Sequence, residues 1–224
     1  MTWIPLESNP DVMNKFLYKL GMPNKYHVVD VCGLDPELLA TVPKPVLSIV
    51  LLFPFSDKYT EDNTKQEDEI KKKGQIVTEK IFYMKQVEPN ACGTIALVHS
   101  VANNLDKIDL QDGHLKKFID ATKNLNPDEK GKSLEKADGI ISAHKEAALE
   151  GQTAPTEEVK YHFITFVHRD GHLYELDGRK SFPVNLGEST NDSFLEDAAR
   201  VCKEYMSKYP DELRFSVVAL TVAE

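Results

Sequence analysis

Eight consecutive residues, Val46 to Phe53, carry one serine among aliphatic and aromatic side chains and lie between Pro45 and Pro54. A bilayer-spanning helix needs roughly 20 apolar residues. A run this short, closed by prolines, reads as a buried strand. Helices with legible ends surround it. Asn9 suits the cap of a first helix, Pro10 its first turn and Gly21 a left-handed exit, with Met13, Phe16, Leu17 and Leu20 at helical spacing. Val28 to Val31 reads as a short strand, Pro36 to Leu39 as a helical turn and Ile81 to Met84 as a strand. Residues 57–74 are charged and short of large apolar side chains, which predicts an exposed, partly helical loop. Asn90 suits the cap of a helix starting near Cys92, with Ile95, Val98, Ala102 and Leu105 on one face. Leu115 to Leu149 reads as mostly helical, broken near Asn126-Pro127 and Gly139, and residues 150–158 lose the pattern. Two strands flank Asp170-Gly171, a helix covers about 193–209, and residues 213–222 form a last strand. Helices mixed with several strands predict an α/β or α+β fold, and 224 residues fit one or two domains.

Charge and cysteine content narrow the function. The formal net charge is −9, spread along the chain, whereas nucleic-acid binding needs a basic face. A basic partner suits this surface better, although much of the charge serves solubility. No membrane span is expected. The first residues lack the charged and apolar regions of a signal peptide, so a cytoplasmic or nuclear location is expected. Cys32, Cys92 and Cys202 have neither disulfide-framework nor zinc-ligand spacing, and no metal or cofactor is expected. In a reducing compartment each is a small core residue or a reactive thiol.

Cys92 has the context of a reactive thiol. It stands in Asn90-Ala91-Cys92-Gly93 at a helix N-terminus, where free amides and the helix dipole stabilise a thiolate. The same amides bind an oxyanion. A base for it comes from the hairpin. Asp170-Gly171 signals a two-residue turn; Arg169 then pairs with His172, and residues whose numbers sum to 341 lie opposite. Ile164 faces Asp177, and His162 becomes a diagonal neighbour of Asp177 within side-chain reach. An imidazole held by a carboxylate is a base with its orienting group. His168 and Glu175 pass the same test, although His168 lies nearer the turn and is wetter. Gln86, six residues before Cys92, is an amide donor of the kind that stabilises a tetrahedral oxyanion; a solvent-facing glutamine is the ordinary alternative. His27, His114 and His144 lack a chemical context and read as surface residues.

These stretches resemble the ubiquitin C-terminal hydrolases in their short, single-domain branch. The resemblance rests on Gln86 with Asn90 to Thr94, on His162-Phe163-Ile164, on Asp170 to Arg179, and on Trp3 to Glu7, Asp35 to Leu39 and Pro210 to Phe215. It implies one catalytic domain over residues 1–224 with a papain-like core, a central antiparallel sheet flanked by helices and a knotted path. It implies Cys92 as nucleophile, His162 as base, Asp177 as orienter and Gln86 in the oxyanion hole, and so favours His162 over the His168 pair. The implied substrate is ubiquitin, or a ubiquitin-like protein, cleaved after its terminal Gly-Gly by a monomer. Glu7, Asp11 and Asp30 would meet the arginines of the ubiquitin tail, with Leu6 beside them; for Asp11 a first-turn helix acid is the plain alternative. Residues 140–159 would form a crossover loop that straddles the cleft and passes small adducts and short peptides better than folded chains. Glu88-Pro89 and Leu186 depart from the family pattern, away from the matched catalytic positions. Two other functions fit parts of this pattern: a papain-like acyltransferase, and a ubiquitin-binding module without catalysis.

Overall fold

A computed structural model describes residues 3–151 and 161–223. Its strands are β1 (Tyr26–Asp30), β2 (Val46–Pro54), β3 (Tyr161–Arg169), β4 (His172–Leu176), β5 (Val184–Glu188) and β6 (Ser216–Val222). Its helices are α1 (Pro10–Lys19), α2 (Pro36–Leu39), α3 (Asp57–Lys73), α4 (Cys92–Ala102), α5 (His114–Thr122), α6 (Pro127–Leu134), α7 (Asp138–Glu150) and α8 (Phe194–Ser207). The strands make one sheet in the order β1-β6-β2-β3-β4-β5, antiparallel throughout. This is the mixed α/β architecture expected.

Helices cover both faces of the sheet. One apolar core joins α1, α4, α5 and α7 to Leu47, Val50, Phe163 and Leu220. The other joins α8, with Tyr59 of α3, to Ile49, Leu51, Phe53, Ile164 and Phe166. The strand β2 is apolar along its length because both its faces are buried. α1 has the ends its sequence predicts: Asn9 accepts a bond from the Asp11 amide, and Gly21 sits at φ 111°. None of the described helices is long and apolar enough to cross a membrane.

Three expectations need correction. Residues 57–73 form a continuous helix rather than a partly helical loop. Ser56 caps it through the Tyr59 amide, its charges suit the dipole (Asp57 early, Lys71 to Lys73 late), and Lys71–Glu67 and Lys73–Glu69 pair one turn apart. Its inward anchor is Tyr59, too little to register as an apolar stripe. Ile81 to Met84 is extended but joins no sheet. Side chains of α4 and of its C-terminal cap satisfy it: the cap residue Asn103 bonds both the amide and carbonyl of Phe82, and His99 Nε2 accepts from the Met84 amide at 3.0 Å. Residues 140–150, placed in the expected crossover loop, are helical instead, because α7 continues to Glu150; residues 152–159 lie outside the described residues. The strand β5 was not anticipated.

The hairpin follows the expected register, from Arg169↔His172 to Thr165↔Leu176. Asp170 (φ 46°) and Gly171 (φ 79°) both take the left-handed conformation that a tight two-residue turn demands. A β-branched residue is strained there by roughly 1–2 kcal/mol. Gly171→Val should therefore lower urea stability by about that amount, while Gly171→Asn should lose much less. Equal stability of the valine variant and wild type would remove the turn from its register-setting role.

Candidate active site

Cys92 is the first residue of α4, a helix buried on every side from Cys92 to Val101. No side chain caps its first turn. Asn90, expected as the cap, instead adopts φ 64°, and its side-chain amide donates to the Trp3 carbonyl at 2.8 Å. Gly93 permits close packing: a Cβ there would lie 2.9 Å from Leu6 Cβ and 3.4 Å from the Phe163 ring. α4 is also tied to β3, where the Thr165 hydroxyl donates to the Ala96 carbonyl at 2.8 Å. These contacts hold the thiol at the end of the strand that carries His162.

His162 Nε2 donates to Asp177 Oδ1 at 2.7 Å, and both groups are fully buried. Burial alone would drive the proton off the imidazole. The Asp177 charge and hydrogen bond overcome it, with help from Cys92, and raise the imidazole to about 9. Burial likewise opposes the Asp177 carboxylate, yet His162, Lys180 and Tyr59 hold it well below the usual carboxylate range. For Cys92, burial pushes the thiol up; His162, the Phe163 amide and the Arg179 charge outweigh it and bring the thiol below its ordinary value. His162 Nδ1 meets no partner at full hydrogen-bond geometry, but the Cys92 thiol lies close enough to respond to the ring. Such bonds are commonly loose until substrate binds. The arrangement favours a thiolate beside an imidazolium.

Asp177 opens a turn with further functions. Its Oδ1 also accepts from the Arg179 amide at 2.9 Å, and its Oδ2 accepts from the Tyr59 hydroxyl. The Gly178 carbonyl accepts from the Gln86 amide at 2.7 Å, which ties the segment before Cys92 to the acid. The Gln86 side chain donates to the Glu88 carbonyl at 3.1 Å, and its own oxygen is buried without a partner. Glu88, one of the departures from the family pattern, therefore touches a matched residue through its backbone. Arg179 lies over the Phe55 ring, 4.3 Å from its centroid.

The rival pair does not form. His168 Nε2 donates to the Ser189 carbonyl at 3.1 Å, while Glu175 is bonded to Lys180 and Tyr205. Cys202 is buried with its thiol pushed up by burial and by Glu175; Cys32 is exposed. His144 is a buried bridge, contrary to the surface role expected. It donates from Nε2 to the Ile4 carbonyl at 2.7 Å, accepts from the Thr94 hydroxyl at 2.8 Å, and packs on Trp3. Burial lowers it to about 4, so it stays neutral at physiological pH. Of the expected partner-binding residues, Asp11 and Asp30 are exposed. Glu7 is half-buried, with its carboxylate beside Gly151, and Leu6 is buried over Gly93. Sequence reasoning missed Tyr59, which came from a segment without an apolar pattern. Among the described residues no group of three or more His, Cys, Asp or Glu side chains is placed to hold a metal.

The chain matches the family model of ubiquitin carboxyl-terminal hydrolase, family 1, over residues 3–207. It is 47% identical over 226 aligned residues to a ubiquitin carboxyl-terminal hydrolase of Drosophila melanogaster, covering 100% of this chain and 99% of that one. It is 47% identical over 220 residues to ubiquitin carboxyl-terminal hydrolase isozyme L1 of Rattus norvegicus, covering 98% of each. Its fold is similar to the Trichinella spiralis UCH37 catalytic domain bound to ubiquitin vinyl methyl ester, with TM-score 0.78, 25% identity and coverage of 100% of this chain and 97% of that one.

The shifted groups predict a pH signature. His162 gains affinity for its proton on folding, so its stabilisation is complete below 6.5 and lost as pH rises towards about 9. Cys92 shifts the other way, and its contribution grows as pH rises towards 9. A Cys92→Ala background isolates the histidine, at a somewhat smaller shift because the thiol helps to raise it. There, urea stability should fall as pH rises above 6.5, and adding His162→Gln should flatten that fall. A flat profile in the Cys92→Ala protein would show that the imidazole is not held as a cation.

Proposed function

This chain belongs to family 1 of the ubiquitin carboxyl-terminal hydrolases, cysteine-type deubiquitinating enzymes, and we propose that it releases small adducts and short peptides from the C-terminal glycine of ubiquitin through Cys92, His162, Asp177 and Gln86. The observation that carries this reading is the buried His162–Asp177 bond at 2.7 Å beside a thiol of lowered pKa at a helix N-terminus. The Trichinella relative, bound to a ubiquitin vinyl methyl ester, supports ubiquitin as the substrate.

The Cys92 thiolate attacks the carbonyl carbon of the terminal glycine, and the carbonyl electrons move onto its oxygen. The uncapped amides at the start of α4 and the Gln86 side-chain amide stabilise that oxyanion. For this Gln86 exchanges the Glu88 carbonyl for the substrate. The His162 imidazolium gives its proton to the departing amine as the C–N bond breaks, which leaves a thioester on Cys92 and a neutral imidazole. Water then attacks the thioester while His162 takes its proton. Collapse of the second tetrahedral intermediate releases the carboxylate and returns the thiolate. Asp177 keeps the ring oriented, with Nε2 occupied and Nδ1 directed to the reaction.

Substrate capture draws on charge. The acidic surface suits a tail that carries two arginines before its glycines, and Asp11 and Asp30 are exposed to meet it. Charge reversal at Asp30 should raise KM for a ubiquitin amide most at low salt, because screening acts over about 10 Å at 0.1 M. An effect independent of salt would point to misfolding.

A fluorogenic ubiquitin amide tests the chemistry. Wild type should turn over, and Cys92→Ala should be inert while still binding ubiquitin. Asp177→Asn should lower kcat by roughly 10²–10⁴, and Gln86→Ala by roughly 10²–10³. A Gln86→Ala variant altered only in KM would make Gln86 a binding residue.

A further inference from the structure

The turn that carries Asp177 ends in a buried cation. Lys180 is 1% exposed, and its ammonium is bonded to Glu175 and, at 2.6 Å, to Gln66 Oε1 of α3. The other Glu175 oxygen accepts from the Tyr205 hydroxyl of α8 at 2.9 Å. A buried ion pair is seldom the most stable filling for its volume, since apolar residues of similar size often do as well or better. Its distinctive property is directional: an ammonium with a bound carboxylate and amide oxygen has one position. That position is three residues beyond the acid.

We propose that Lys180 is a positioning residue for the hydrolysis, anchoring the Asp177–Lys180 turn so that the carboxylate faces His162 while the Gly178 carbonyl holds Gln86. The proposal rests on the reading of the active site given above. The turn is closed by the Lys180 amide on the Asp177 carbonyl at 2.9 Å. The Tyr83 hydroxyl reaches both the Asp177 and Lys180 carbonyls, 2.6 Å from each. α3 grips the same turn at three points: Tyr59 on Asp177, Gln66 on Lys180, and Glu67 on the Ser181 amide and hydroxyl at 2.7 and 2.8 Å. Tyr59 is the buried side chain of that helix, so these polar contacts set much of its seating. Lys180 is where α3, α8 and the end of β4 meet. Loss of its bonds would remove the middle of the three α3 holds and the turn's link through Glu175 to β4 and α8, and so loosen the acid and the oxyanion donor together. A misplacement of about 1 Å in such a group costs on the order of 10²-fold in rate.

The test compares wild type with the double variant Glu175→Gln/Lys180→Met, which removes both charges and leaves no unpaired ion in the core. It should unfold close to the wild-type temperature and keep KM for the ubiquitin amide within about two-fold. Its kcat should fall by about ten- to a hundred-fold. The downfield proton resonance of the His162–Asp177 bond should shift or broaden, which a purely structural lysine would not cause. Gln66→Leu spares the ion pair and should give a smaller kcat loss with the same KM. Wild-type kcat and an unchanged resonance in the folded double variant would overturn the proposal. So would a loss explained by the unfolded fraction, with an unaltered resonance in the folded molecules and no effect of Gln66→Leu. If wild type itself failed to cleave the ubiquitin amide, the functional reading would fall. The resonance and the rate of Cys92 alkylation would still separate the variants.

Discussion

A carboxylate cut off from water must find its neutralising charge and its hydrogen bonds inside the protein, or give up its charge. Asp177 is such a group, and much of the architecture answers that demand. The imidazole of β3 takes one oxygen, together with the Arg179 amide; the Tyr59 hydroxyl of α3 takes the other. Each donor comes from a different part of the chain. Meeting the needs of one anion therefore brings a strand, a turn and a distant helix into register. The thiol benefits indirectly, because the proton that Asp177 stabilises on His162 is what makes a thiolate tenable in a buried position.

The nucleophile lies on a helix with no solvent-facing side, an expensive place for a reactive group. That placement has a compensation in rigidity. α4 is packed by Leu6 and Phe163 at its start and bonded to β3 at Ala96. Along its length and at its C-terminal cap it donates side chains to the extended segment before the thiol through His99 and Asn103. The segment expected to pair as a strand is thus held by the very helix that it precedes. His144 adds a tie between the Thr94 hydroxyl and the Ile4 carbonyl, so the N-terminal residues are part of the scaffold around Cys92.

What could be read in advance follows the kinds of signal involved. Strand alternation and a two-residue turn set the register, so the hairpin brings His162 to Asp177, although it brings His168 to Glu175 equally well and the choice between them needed the family resemblance. α1 was legible because its cap, proline and exit glycine coincide with an apolar stripe. α3 was not, since helical propensity and local ion pairing stabilise it without apolar periodicity, and its one buried side chain is a tyrosine bound to a residue 118 positions away. Asn90 looked like a cap because asparagine commonly is one, yet a competing carbonyl at Trp3 claimed its amide. The positions of Tyr59 and His144 depend on such long-range partners, as does the bond of Lys180 to Gln66, and no local window of sequence contains them.

The sheet order carries a consequence for biosynthesis. β6, formed by Ser216–Val222, lies between β1 and β2 and pairs with both. Those two strands are made early, at Tyr26–Asp30 and Val46–Pro54, but they have no bond to each other. While the ribosome is still working through the later helices, each exposes an unsatisfied edge towards the gap. Open edges of this kind attract foreign strands, and contacts so distant in sequence form slowly. The nascent chain consequently carries an open gap between β1 and β2 until Ser216–Val222, the last of the described strands in sequence, has been made.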